Sequence, residues 1–76
     1  MVKTIMVVDD EADIRETVKV ILEAKGYKVV IAENGDDCLE QLKKVKPDLI
    51  LMDIMMPGTP VRDIIPKIMD SKVAYL

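Results

Sequence analysis

Two apolar stretches that close on aspartate decide the fold: KTIMVVDD at residues 3–10 and DLILMD at residues 48–53. A short apolar run that closes on a carboxylate is typical of a buried parallel strand with charge at its carboxyl end. The ligand crevice of an open α/β sheet lies at the carboxyl ends of its strands. If these two strands are neighbours, Asp9, Asp10 and Asp53 meet in one small space. Such a cluster requires a divalent cation, a proton or a buried lysine to be tolerable.

The composition is that of one small globular domain. The chain has 76 residues, of which 50% are hydrophobic and 33% are charged, so it is not intrinsically disordered. Its net charge is −3, and its longest basic run is the pair Lys43-Lys44, which argues against nucleic-acid binding by this segment. A signal-peptide pattern and an apolar stretch of membrane-spanning length are both missing, so we expect a cytoplasmic protein with no membrane contact.

Strand and helix patterns alternate along the chain. The order βαβαβαβ predicts a parallel sheet with right-handed crossovers. The predicted strands are residues 3–8, 28–32, 48–52 and 72–76, and the predicted helices are residues 12–25, 37–45 and 62–69.

The periodicity of the first two helices predicts their buried faces. In the first helix, Arg15 and Lys19 fall on the outer face, and Asp10 and Glu11 occupy the positions of a cap and a first-turn acid. Gly26 suits the position just after the helix. The residues predicted to face inward are Ile14, Val18, Ile21 and Leu22 in the first helix and Cys38, Leu42 and Val45 in the second.

Five motifs in order carry a family resemblance: VVDDE at 7–11, GYKV at 26–29, AENG at 32–35, PDLILMD at 47–53 and MPG at 56–58. With this set the chain resembles the receiver domain of two-component response regulators. The resemblance implies a flavodoxin-like, three-layer α/β fold with an open parallel sheet. It also implies that residues 1–76 are a partial receiver domain, truncated after the fourth strand, with strand order 2-1-3-4.

The resemblance also implies a role for each site residue. Asp53 is similar to the phosphoacceptor, which takes a phosphoryl group from a histidine kinase or a phosphotransfer protein. Asp9, Asp10, Asp53 and the backbone carbonyl of Met55 are similar to the ligands of Mg²⁺. On this interpretation the chain is a signalling module and not an enzyme.

The chain departs from the family pattern beyond its third strand. The family has a Ser or Thr at the end of the fourth strand, which here would follow Leu76, and a Lys at the end of a fifth strand. Lys72 lies at the wrong end of the sheet to replace that Lys, and Val61 stands where the family usually has Gly. A strand at 72–76 would be a bare sheet edge, which favours pairing with a second copy. The alternative function is therefore a half-domain, truncated or engineered, that self-associates and has lost signalling competence.

Two enzyme or cofactor classes are disfavoured by the residues beside the aspartates. A phosphatase of the haloacid dehalogenase type needs a second Asp two residues after the first, and these positions hold Met55 and Glu11. A dinucleotide-binding module needs a Gly-rich loop after the first strand, where the acidic residues 9–11 would repel phosphate.

Overall fold

A computed structural model describes residues 2–53 and the backbone of residues 72–75. The predicted helix at 62–69, Met55, Val61 and Leu76 lie outside the described residues. Within the described part of the chain, none of the helices combines the length and apolarity needed to cross a lipid bilayer. The elements are β1 (Thr4–Val8), α1 (Ala12–Ala24), β2 (Lys28–Ala32), α2 (Gly35–Leu42), β3 (Leu49–Met52) and β4 (Lys72–Tyr75).

The four strands form one parallel sheet in the order β2-β1-β3-β4, which confirms the predicted topology. β1 lies in the centre, with Val8 opposite Ala32 of β2 and opposite Met52 of β3. A central strand of a parallel sheet can be apolar at successive positions because helices cover the faces of the sheet, and here α1 contacts β1 and Cys38 of α2 contacts Met6. Ile5, Met6, Val7 and Val8 are accordingly all buried.

The core lies between the sheet and α2. Even-numbered residues of the strands share one face, because side chains alternate along a strand. These side chains pack with Cys38 of α2, while Leu39 and Leu42 border the cluster. The buried members of this core are Met6, Val8, Ala32, Cys38, Ile50 and Met52.

α1 begins at Ala12 as predicted and ends at Ala24, one residue before the predicted end, with Gly26 at the predicted position after the helix. Gly26 has a φ of 91°, its N–H donates to the Glu23 carbonyl, and the N–H of Tyr27 donates to the Leu22 carbonyl. This pattern is a Schellman motif, which needs the left-handed conformation that glycine adopts without strain. At the other end Glu11 is the N-cap and its side chain makes no capping hydrogen bond. The only first-turn acid of the helix is Asp13, so the predicted capping role of Asp10 was wrong.

The predicted inward face of α1 is only partly covered. Val18 and Leu22 are half-buried, but Ile14 is 39% exposed and Ile21 is 51% exposed, and no α1 residue is fully buried. α1 contacts β1 and β2, so residues on the flank that points away from these two strands stay open to solvent. Among the described residues no other element covers that flank. The predicted inward orientation of this face is therefore confirmed for Val18 and Leu22, whereas Ile14 and Ile21 are exposed.

α2 begins two residues earlier and ends three residues earlier than its periodicity predicted. Asn34 is its N-cap, and the Asn34 side chain accepts a hydrogen bond of 2.8 Å from the N–H of Asp37. The Asp37 carboxylate accepts in turn from the N–H of Glu33 at 3.1 Å, so two amides at the helix start are satisfied. The helix ends at Leu42, with Lys43 as its C-cap, four residues before the predicted stop at Pro47 would act on Lys46. Val45 is half-buried outside the helix.

Cys38 is a buried thiol in the centre of the core. Its Sγ lies 3.7 Å from the Met6 Sδ, and its side chain is fully inaccessible. Burial, with a further contribution from the negative charge of Asp37, raises the pKa of the Cys38 thiol from 9.0 to about 11. The thiol is therefore a small apolar core group, as the sequence predicted, and it is kept protonated by its surroundings.

The raised pKa of Cys38 predicts a loss of stability at alkaline pH. The thiol binds its proton more tightly when folded, so its contribution is complete below the unfolded pKa near 9.0 and is lost as pH rises through about 11. Between about pH 8 and about pH 10 we expect the free energy of unfolding to fall by roughly 1 kcal/mol more in wild type than in Cys38→Ala. Urea denaturation of both proteins across this range measures the difference. Equal pH slopes would contradict it.

Candidate functional site

The site is built where β1 and β3 end side by side. The ladder continues one residue past each strand, because the N–H of Asp53 donates to the Val8 carbonyl at 3.0 Å and the N–H of Asp9 donates to the Ala32 carbonyl at 3.2 Å. Since parallel strands end at the same edge of a sheet, the two aspartates leave the sheet together. The sequence-predicted juxtaposition of Asp9 and Asp53 is therefore present.

Asp10 joins these two aspartates in one cluster. Asp9, Asp10 and Asp53 each present a carboxylate oxygen, and these three oxygens all lie within 4.8 Å of one another. Asp9 is 3% exposed, Asp53 is half-buried and Asp10 is exposed. We call these three residues the acidic cluster. Its members thus form a gradient from the core to the solvent.

The side chain of Asp9 forms a hydrogen bond with the backbone of the loop between β1 and α1. The Asp9 Oδ1 accepts a hydrogen bond of 2.9 Å from the N–H of Glu11, two residues further along the chain. This short side-chain to backbone bond is an Asx-type turn, which aspartate forms readily. It satisfies the N–H of the N-cap residue itself, just before the helix begins at Ala12.

Arg15 is a residue of this site that the sequence analysis placed on an outer helix face. Its side chain is half-buried, and its Nη1 donates a hydrogen bond of 2.7 Å to the backbone carbonyl of Asp9. One general rule could have predicted this contact. Side chains on a helix lean toward its N-terminus, so a long side chain in the first turn reaches back over the preceding loop.

The acidic cluster has the donor set that a hard divalent cation requires. Mg²⁺ prefers oxygen ligands and binds through one or two carboxylates together with water and substrate oxygens. Carboxylate oxygens this close together repel one another unless a cation lies among them. The chemistry of the three aspartates therefore fits a magnesium ion. Met55, the fourth predicted ligand through its carbonyl, lies outside the described residues.

A comparison with known families now places the chain. The family model described as "Response regulator receiver domain" matches residues 5–72, which include the whole acidic cluster. The chain belongs to the response regulator receiver domain family. The predicted family and the predicted flavodoxin-like fold are both confirmed.

Curated receiver-containing proteins show high identity over a part of their length. The phosphate regulon transcriptional regulatory protein PhoB of Pseudomonas aeruginosa is 53% identical over 57 residues, which are 75% of this chain and 25% of that protein. The transcriptional regulatory protein ResD of Bacillus subtilis is 43% identical over 68 residues, which are 90% of this chain and 28% of that protein. The chain thus spans about a quarter of the length of these relatives.

Solved receiver structures share the fold. A receiver domain from Methylobacillus flagellatus superposes with a TM-score of 0.90 at 21% identity, covering 99% of this chain and 69% of that one. The response regulator TrrA of Thermotoga maritima in complex with Mg²⁺ and BeF has a TM-score of 0.78 at 41% identity, covering 87% of this chain and 57% of that one. A structure of TrrA in complex with the histidine kinase ThkA has a TM-score of 0.84 at 38% identity, covering 96% of this chain and 66% of that chain.

The proximity of the three carboxylates predicts the effect of removing one charge. We expect Asp10→Asn to raise the midpoint of thermal unfolding by a few degrees in EDTA and low salt, because it relieves a repulsion of up to about 1 kcal/mol. Asp13→Asn is the matched control, since Asp13 is an exposed first-turn acid of α1 outside the cluster. The charge of Asp13 interacts favourably with the helix dipole, so the unfolding midpoint of Asp13→Asn should stay level or fall. A rise of equal size in both variants would contradict a shared cluster.

Proposed function

We propose that this receiver domain accepts a phosphoryl group on Asp53 from the phosphohistidine of a histidine kinase or phosphotransfer protein, with Mg²⁺ bound at the acidic cluster. The observation that carries the proposal is the approach of three carboxylate oxygens to within 4.8 Å at the adjoining ends of β1 and β3. The family membership of the chain gives that cluster its chemical context.

The exposure of the three aspartates supports a division of roles. Asp9 is buried and its Oδ1 is already used by the N–H of Glu11, so it suits a fixed metal ligand. Asp10 is exposed and suits a ligand that the metal reaches from the solvent side. Asp53 is half-buried at the end of β3, where its backbone N–H is bonded to the Val8 carbonyl and its side chain is partly open to a partner. It is therefore the best placed of the three to attack a bound donor.

The transfer is an in-line displacement at phosphorus. An oxygen of the Asp53 carboxylate forms the new O–P bond as the P–N bond to the donor imidazole breaks, and the imidazole nitrogen leaves with the electron pair and takes up a proton. A bound Mg²⁺ supplies positive charge that offsets the repulsion between a carboxylate and a phosphoryl group. Asp9 and Asp10 contribute by holding that charge beside Asp53. The carbonyl of Met55 is the further ligand that we propose.

Two related structures support this choice of ligand and partner. TrrA has been solved with Mg²⁺ and BeF, and also in complex with a histidine kinase. TrrA shares 41% identity with this chain over 87% of its length in the first of these structures. The corresponding partner of this chain is accordingly proposed to be a histidine kinase, and the module itself to be a phosphoacceptor without enzymatic turnover.

Beryllofluoride tests the proposal, because it mimics a phosphoryl group on a carboxylate. We expect the addition of beryllofluoride at constant, saturating Mg²⁺ to shift backbone amide resonances at residues 9–11 and 53 in wild type, and to leave them unshifted in Asp53→Asn. The matched control is Asp36→Asn, which removes an exposed aspartate of α2 that is not part of the acidic cluster and should give the same shifts as wild type. Shifts in Asp53→Asn equal to those of wild type would exclude Asp53 as the acceptor.

A second candidate function is self-association through β4. Among the described residues β4 pairs with β3 alone and stands at the edge of the sheet. An open strand edge offers unpaired N–H and C=O groups to another chain. A symmetric pair of copies joined at this edge would continue the sheet across the dimer axis.

Sedimentation velocity distinguishes the two candidate functions. If β4 drives assembly, the sedimentation coefficient should rise with protein concentration and be the same with and without Mg²⁺ and beryllofluoride. If Mg²⁺ and beryllofluoride bind at the acidic cluster and change the mass or shape of the protein, the sedimentation coefficient should change when they are added. A compact monomer at every concentration, with no ligand effect, would exclude self-association.

A further inference from the structure

Arg15 connects α1 to the acidic cluster through the backbone of Asp9. Its Nη1 donates a hydrogen bond of 2.7 Å to the Asp9 carbonyl. Arg15 lies in the first turn of α1, and its own N–H donates to the Glu11 carbonyl as the helix begins. Its side chain therefore spans the loop that separates β1 from α1.

With this bond Asp9 is held at three atoms. Its N–H donates to the Ala32 carbonyl of β2, its Oδ1 accepts from the N–H of Glu11, and its carbonyl accepts from Arg15. The first contact fixes the residue to the sheet, and the other two fix the loop that follows it. A half-buried arginine side chain loses rotational freedom when it forms such a bond. The Arg15 side chain is therefore ordered against the loop and contributes to its structure.

We propose that Arg15 is a positioning residue of the acidic cluster. By holding the carbonyl of Asp9, it fixes the peptide between Asp9 and Asp10 and keeps both carboxylates directed toward Asp53. This inference rests on the proposed binding of Mg²⁺ at the cluster and adds to it a residue outside the three ligands. Removing a group that hydrogen-bonds to a metal ligand without itself binding the metal typically weakens metal binding by about 10-fold or more.

The sign of the effect separates positioning from charge. The Arg15 guanidinium is positive, so by Coulomb repulsion alone its removal would tighten the binding of a second cation nearby. If Arg15 acts by holding the loop, its removal weakens the binding of Mg²⁺ instead. The two effects oppose each other, so a measured loss of affinity reports the positioning role.

Three variants carry out this test. Arg15→Gln removes the charge and the long donor, and Arg15→Lys keeps a cation with a single ammonium group. Lys19→Gln is the matched control, because Lys19 is also a half-buried cation of α1, one turn further on, and the described residues show no hydrogen bond or ion pair for it. Arg15→Gln and Lys19→Gln both change the net charge from −3 to −4, so they differ only in which cation is removed.

Calorimetric titration with Mg²⁺ gives the main readout. We expect Arg15→Gln to bind Mg²⁺ about tenfold more weakly than wild type, Arg15→Lys to fall between the two, and Lys19→Gln to bind as wild type does or slightly more tightly. Dispersed amide spectra establish that each variant is folded. Binding in Arg15→Gln that equals or exceeds that of Lys19→Gln would overturn the positioning role.

A metal-free measurement separates failure of this inference from failure of the proposed function. In EDTA, hydrogen exchange at the Glu11 amide reports whether the loop stays closed, because that amide is bonded to the Asp9 carboxylate. We expect faster exchange in Arg15→Gln than in Lys19→Gln. Wild type that fails to bind Mg²⁺ would overturn the proposed function, whereas equal exchange in the two variants would overturn the role of Arg15.

Discussion

The parallel pairing of β1 with β3 is the constraint on which the site depends. In this register Val8 lies opposite Met52, so the chain leaves both strands at the same level and Asp9 and Asp53 follow. The register is set by burial, because a slip of one residue would turn Met6 and Val8 away from the core that contains Ile50 and Met52. The apolar side chains thus bring the carboxylates together, although carboxylates alone would repel one another.

The fold makes this convergence tolerable by grading the exposure of the three acids. A buried carboxylate without partners would be strongly destabilising, and Asp9 avoids that state through the N–H of Glu11. Asp10 is exposed, so solvent screens part of its charge. Only Asp53 is half-buried, so its carboxylate can be reached from the solvent while its charge is only partly screened. The order of burial, more than the number of acids, distinguishes this cluster from three solvated strand ends.

Most of the fold could be predicted from the sequence because its signals are local. The strand at 28–32 was predicted with its correct bounds, and the Schellman end of α1 followed from Gly26 alone. The segment 34–36 was predicted as a turn and cap, but the helix was predicted to start two residues late, because the reciprocal bonds of Asn34 and Asp37 extend it back to Gly35. The three cluster residues could be predicted because the strand ends identify them.

Other features depend on tertiary contacts that the local pattern does not contain. The apolar spacing of Ile14, Val18 and Ile21 indicates an amphipathic helix, but it does not state how much of that face the sheet covers. α1 contributes no residue to the buried core, so its position depends on its contacts with β1 and β2 and on the loop that begins at Asp9. Because Arg15 bonds across that loop, a displacement of α1 would be transmitted to the backbone of Asp9 and so to the cluster. The least buried helix of the described fold is therefore the one connected most directly to its acidic site.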